Sequence, residues 1–370
     1  MKKYLFILLF LMQFVNAQEL ALVKIDGKFG YILKSGNFAI EPKFKVAKNF
    51  SNGLAAFEEN KKWGFINTKG EIVIPATFDD VKYFDSGICV VAKDKRWFYI
   101  DKKGEELKSP DSDKIYDFEN GIAFIRKEKK VGLIDAHLKV VVEPSYDVIK
   151  SFEGDFARVR NNGMWGIIDK TGKIVVKTEY NEIGDYHKEI VWARSGESFG
   201  LIIAGNFKVI EGVDKIWDFS SQDLTYARKD KKIGFIDLKG EWVIEPKYDK
   251  VKAFSNNMAP VFVDKKWGYI NKSGKMVVEP VYDDAEVFSN DGLAPVKNEK
   301  WGFIDLTGKL VIPNLYEISA GGMLSIFKNQ DKGFIDGLAR VKKDKKWGFI
   351  NKEGNAIGGQ WFDNAEPFLK

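Results

Sequence analysis

A chain of 370 residues with 14% aromatic and 30% charged side chains has the composition of a globular protein and the length of two ordinary domains. Its formal charge of +5 falls to about +3 once Lys2 and Lys3 are set aside, 56 basic residues against 53 acidic ones, which is too little to argue for nucleic acid or a membrane surface. One cysteine, Cys89, excludes an internal disulfide, so packing and backbone pairing must supply the stability.

The chain opens with "MKKYLFILLFLMQFVNAQEL": two lysines, an apolar run from Tyr4 to Val15, and then Val15-Asn16-Ala17. This order is that of a signal peptide over residues 1–17, with the mature chain starting at Gln18, and export to the periplasm, the cell surface or the medium is expected. A membrane anchor is the competing reading, but the run is shorter than the ~20 residues a bilayer span needs. No later run reaches that length, and no cysteine directly follows the cleavage site to carry a lipid.

Beyond residue 17 the sequence repeats. Gly30, Gly64, Phe98 (where glycine is replaced), Gly132, Gly166, Gly200, Gly234, Gly268 and Gly302 follow one another at 34-residue steps. "KGFID" at Gly333 comes early and "KKWGFINKEG" at Gly348 closes the series, which reads as ten full units plus a half-unit remnant near 316–336. The repeats occupy all of 18–370, leaving no stretch for a separate catalytic domain.

The unit from Gly53 to Phe84 shows the local logic. "GLAAFEENKKWGFIN" is two β runs joined at Asn60-Lys61, with counterparts such as Asp26-Gly27, Asp94-Lys95, Asp264-Lys265 and Asp344-Lys345, pairs suited to a two-residue hairpin. Asn67-Thr68-Lys69-Gly70 predicts a type I turn closed by a left-handed glycine, leading into "EIVIP", whose Pro75 is expected to end or border that strand. An aromatic, an acidic residue and a closing Phe follow, so each unit is three short strands plus a fourth extended piece. The hairpin register places Phe57 opposite Gly64 and Ala55 opposite Ile66, a small aliphatic face that should be tightly packed. Glycine is expected there because a larger residue would crowd the facing side chain or the neighbouring backbone. The opposite face, with Trp63 and Phe65, is read as amphipathic.

That second face carries the candidate site: Trp63, Trp97, Trp165, Trp267, Trp301 and Trp347, with Arg126, Arg160, Arg194 and Arg228 across the hairpins. Aromatic rings beside cationic stems suit cation–π stacking at about 0.5–1 kcal/mol per exposed pair, and a stacked stripe could grip sugars or nucleobases. Packing between units explains the same residues, since a ligand site rarely needs every unit. Paired lysines such as Lys61-Lys62 and Lys265-Lys266 would make a basic edge that captures an anionic glycan or acidic protein, or a solvated edge that discourages strand-to-strand aggregation. Cys89 occupies a slot otherwise held by alanine and reads as core. His137 and His187 stand far apart with no repeated ligands, so no zinc site and no cofactor is expected, and no phosphate loop or nucleophile elbow appears.

The in-phase motif Trp-Gly-aromatic-Ile-Asp/Asn followed by Gly, as in "KKWGFINTKG" and "KKWGYINKSG", resembles that of the WG-repeat (KWG-repeat) family over about 350 residues. The resemblance implies a bacterial repeat protein with a binding or scaffolding role and supplies no catalytic residues. The fold expected is all-β and quasi-one-dimensional: an open curved array of β meanders, or alternatively a closed β-propeller or two rings. The open form is favoured because propellers typically have about four to eight blades and no strand swap is evident. The function expected is an exported, non-enzymatic scaffold for a protein or cell-envelope glycan, with no nucleic acid. The alternatives are a carbohydrate-active hydrolase with unidentified carboxylates and a structural envelope spacer.

Overall fold

The hairpin dipeptides do what their residue types predict. In the computed structural model, which describes residues 19–317 and 333–369, Asn60 and Lys61 have φ of 51° and 63°, Asp264 and Lys265 48° and 66°, and Asp344 and Lys345 50° and 67°. Positive φ at both central positions gives the turn a twist that matches the flanking strands. The register follows: Phe57 pairs with Gly64 and Ala55 with Ile66. The second turn closes as expected, with Gly70 at φ 78° donating to the Asn67 carbonyl and the Asn67 side chain accepting from Lys69 and Glu71.

The third and fourth strands explain the glycine. Trp63 pairs with Phe78 and Phe65 with Ile74, so the fourth strand carries extra residues and bulges at Pro75. That bulge lies against Gly64: a Cβ there would stand 2.5 Å from the Ile74 carbonyl oxygen and 2.7 Å from the Ala76 nitrogen. The neighbouring backbone, and not the facing Phe57, is therefore what requires glycine. Proline does not end the strand, which runs through it from Ile72 to Phe78; an outer edge strand at a bulge tolerates a missing donor. The third blade supplies the control. Phe98 replaces the glycine, and the fourth strand shrinks to Glu106–Leu107, paired with Ile100 and Tyr99 without a bulge.

Among the described residues, ten small antiparallel sheets follow one another as the blades of a β-propeller. The second blade is typical, with strands Ala47–Ser51, Leu54–Glu59, Lys62–Asn67 and Ile72–Phe78 in that order. Its first strand is innermost: Lys48 Nζ donates to the Val81 carbonyl and Ser51 Oγ to that of Phe84, both on the next blade's inner segment. Fourth strands form the outer edge, where Ile72 and Ile174 are 58% exposed. The extended piece that closes each sequence unit belongs to the following blade; Asp80 and Val81 pair with Ala92 and Val91. Sequence unit and blade are thus offset by one strand.

This offset closes the ring. Asn364–Leu369 pairs antiparallel with Leu20–Ile25, joining Lys24 to Asn364 and Leu20 to Leu369, so the last strand becomes the first strand of the first blade. The closed propeller, the alternative expected from the sequence, is the arrangement adopted, and the favoured open array is corrected. The swap is hidden in the sequence because "WFDNAEPF" matches the closing piece of an ordinary unit such as "VYDDAEVF".

Each junction between blades is a hydrophobic core. Ten buried clusters lie one to a junction, the tenth-to-first junction gathering Phe349 and Phe362 with Ala21, Val23 and Ile32. The isoleucine of every unit, from Ile32 and Ile66 to Ile304 and Ile350, is buried as expected. On the opposite face most of the tryptophans remain partly exposed beside lysine or arginine, while Phe65, Tyr99, Tyr269 and Phe303 are also buried, because each blade is sandwiched between two others. Their rings meet the closing Phe of the next inner segment edge-on, Phe65 to Phe84 at 4.9 Å and Tyr269 to Phe288 at 5.2 Å. The proposed signal peptide and most of the half-unit segment lie outside the described residues. At the flanks of that segment, Glu317 bridges to Lys342, and Phe334–Ile335 pairs with Leu338 and Ala339 of the tenth blade.

Candidate functional site

The register places each arginine or its counterpart opposite the aromatic slot, Arg160 opposite Trp165 and Arg194 opposite Phe199. The rings, however, are covered from within their own blades. Lys48 Nζ lies 4.7 Å from the Trp63 ring, Lys82 5.7 Å from Trp97, Lys252 5.2 Å from Trp267, and the Arg340 guanidinium 3.9 Å from Trp347. Trp267 is buried; Trp63, Trp165, Trp301 and Trp347 are half-buried, and Trp97 is 40% exposed. Of the four arginines only Arg160 stacks on a tryptophan, 5.4 Å from Trp165. Arg194 pairs with Glu182 and Arg228 with Asp214, while Arg126 is exposed. These ten residues are thus distributed over blades two to ten, one or two to each.

The paired lysines divide their work. The first, at the hairpin tip, is exposed at Lys61, Lys265 and Lys345. The second reaches a carboxylate 17 residues on: Lys62 to Asp79, Lys130 to Asp147 at 2.6 Å, Lys266 to Asp283 at 2.6 Å and Lys346 to Asp363. The same carboxylates accept from the hairpin tip of the following blade, Asp79 from the Asp94 nitrogen at 2.8 Å and Asp147 from that of Asn162 at 2.8 Å. The lysine hydrogen bond first, and the backbone donor after it, hold the Asp79 carboxyl below the usual range. The lysine partner likewise leads the lowering at Asp147, Asp283 and Asp363. The recurrent acid is therefore a clip between blades, a role the sequence could have signalled through its fixed distance from the lysine.

The isolated candidates are structural as well. Cys89 is buried opposite Ile100, and burial pushes its thiol up. His187 stacks on Phe219 with Nε2 2.8 Å from Asp223, and His137 sits exposed in a turn. Among the described residues there is no group of His, Cys, Asp or Glu able to hold a metal ion, and no helix long and apolar enough to cross a membrane.

Among the described residues, three clefts lie at blades two to four. Two clefts, of about 510 and 600 Å³, lie near the third blade's truncated outer strand, one floored by Phe78 and Phe98, the other lined by Pro110, Ile125 and Pro144. A third, of about 450 Å³, opens on the inner segments between Lys48, Lys82, Tyr83, Tyr116, Asp117 and Phe124. Tyr83 and Tyr116 are departures from the unit: in the fifth and eighth blades the corresponding inner residues are Lys150-Ser151 and Lys252-Ala253. Tyr83 escaped the search for recurring chemistry because its slot holds Ser151 and Ala253 in those blades; the aromatic of Tyr116 returns as Trp217 in "KIWDF", and its likeness to "KIYDF" was the available signal.

Fold and surface together define a closed repeat β-propeller. Nine stretches, 29–63, 63–97, 97–130, 132–165, 165–197, 233–267, 267–300, 301–318 and 332–347, match the family model described as "WG containing repeat", and the chain belongs to that family. No curated protein matches the sequence. Among solved structures, a eukaryotic initiation factor aligns with 95% of this chain and 98% of its own at 11% identity and a TM-score of 0.46. Hsv2p of Kluyveromyces lactis aligns over 61% of this chain and 92% of its own (7% identity, TM-score 0.29). PorZ of Porphyromonas gingivalis, titled a surface component of the type-IX secretion system, aligns over 94% and 58% (9% identity, TM-score 0.25).

Proposed function

We propose that this chain is an exported, non-enzymatic scaffold that binds a partner of the cell envelope on the side of the ring formed by blades two to four. The observation that carries the reading is that three clefts among the described residues lie together at blades two to four, beside the third blade's departure from the repeat at Phe98. Around the ring the recurrent lysines and carboxylates are engaged in holding blades together, whereas Tyr83 and Tyr116 stand where the fifth and eighth blades carry Lys150-Ser151 and Lys252-Ala253. Engagement of the recurrent acids in inter-blade clips supports binding over hydrolysis, since a general acid or nucleophile must be free to face a substrate. Export rests on the character of residues 1–17.

The test is capture from envelope extracts by the purified protein lacking residues 1–17, beside turnover assays on envelope polysaccharides. Saturable capture without turnover is expected. Turnover abolished by one Asp or Glu substitution would make the protein a hydrolase, and failure to saturate would leave it a structural spacer.

A further inference from the structure

We propose that the inner cleft between blades three and four is a binding site for a neutral carbohydrate, one or two pyranose rings long. The inference deepens the scaffold reading and rests on it. The cleft, about 450 Å³, has the size of a small-ligand site. Its walls are held by bonds between blades: Ser51 Oγ to the Phe84 carbonyl at 2.6 Å, Tyr99 OH to the Tyr116 carbonyl at 2.8 Å, and the Asp85 carboxylate accepting from the Asn120 and Gly121 nitrogens at 3.0 and 2.9 Å. A ligand therefore meets a formed surface and does not have to order one.

The lining selects the ligand by elimination. Tyr83, Tyr116 and Phe124 supply aromatic area, with Phe124 set edge-on to Tyr116 at 5.9 Å. Among the described residues, the hydroxyls of both tyrosines, the Asn120 amide and the Glu119 carboxylate make no hydrogen bond to protein. A purely apolar ligand would cover these groups without pairing them, which costs free energy. A phosphate or other anion would enter a lining of two lysines, Lys48 and Lys82, against three carboxylates, Asp85, Asp117 and Glu119, whose balance is negative. A cation has no cage, since Asp85 is already engaged by backbone donors. A neutral sugar fits: its hydroxyls both donate and accept, matching carboxylates and lysines alike, and its C–H face stacks on tyrosine.

The protein lacking residues 1–17 is applied to an array of neutral and acidic oligosaccharides. Hits are titrated by saturation-transfer NMR with maltose, cellobiose and diacetylchitobiose as neutral probes and digalacturonate as the charged one. At least one neutral saccharide is expected to bind, with affinity reduced roughly tenfold or more by Tyr116→Ala or Tyr83→Ala, and unchanged by Trp301→Ala in the ninth blade. Tyr116→Phe and Tyr83→Phe keep the rings, guard against misfolding, and should weaken binding less than the alanine variants. Binding of acidic saccharides alone, binding indifferent to both tyrosines, or no binding to any saccharide overturns the proposal. Envelope capture that survives Tyr83→Ala/Tyr116→Ala while sugars fail would sink this site and leave the scaffold reading standing.

Discussion

Glycine in the WG motif is required by a main chain at Gly64, Gly132 and Gly268, and by the Trp361 ring at Gly348. Any Cβ at Gly64, Gly132 or Gly268 would lie within 2.6 Å of a carbonyl oxygen on the bulged outer strand. Gly64→Ala should lower stability by about 1–3 kcal/mol, read as a lower urea midpoint, because backbone yields less than a side-chain tip. The third blade has already made the exchange, with Phe98 and a shortened strand, so Phe98→Ala should not produce a steric penalty of that kind. The acid clips predict pH behaviour. Asp79, Asp147, Asp283 and Asp363 have carboxyls below the unfolded value near 4, so their contribution is complete above about pH 4 and disappears as pH falls through the folded values. Thermal midpoints measured from pH 7 to pH 2 should hold to about pH 4 and then drop, with the drop reduced in a variant carrying Asn at all four positions. These pairs are exposed and each is weak, so the number of clips matters more than any one of them.

At the scale of the strand, the hairpins were legible because turn chemistry and side-chain alternation act within a dozen residues. Asn60-Lys61 set the register, and the register placed Ala55 and Ile66 in the core. What was not legible was which sheet the piece after the proline joins, since pairing of Asp80 and Val81 with Val91 and Ala92 is set by packing against the following unit. The burial of Phe65 and Tyr269 has the same origin: alternation reports one buried face, while a blade between two blades buries both. Phe65→Ala should therefore cost about 3–5 kcal/mol, the loss of a core ring and not of a surface one, measured by denaturant unfolding. A cost below 1 kcal/mol would place that face in water.

The molecule as a whole depends on its last strand. An open array loses little when its end is trimmed, since each unit contacts only its neighbours. In the closed ring Asn364–Leu369 is the inner strand of the first blade and contributes Ala365 and part of the tenth-to-first core. Removing residues 364–370 should expose the amides of Leu20–Ile25 to hydrogen exchange and raise the radius of gyration measured by small-angle scattering. The repeat announced itself in the sequence; its closure did not, because two segments more than 300 residues apart carry no periodic sign of their pairing.

That pairing is the claim on which the rest stands. Replacing Lys24 and Asn364 by cysteine in a Cys89→Ala background puts two thiols on directly opposed residues, within the separation a disulfide spans. Mild oxidation followed by tryptic digestion and mass spectrometry should recover one peptide from the start of the chain linked to one from its end, within the monomer and in high yield. Free thiols at both positions, or links formed only between molecules, would contradict the closed ring.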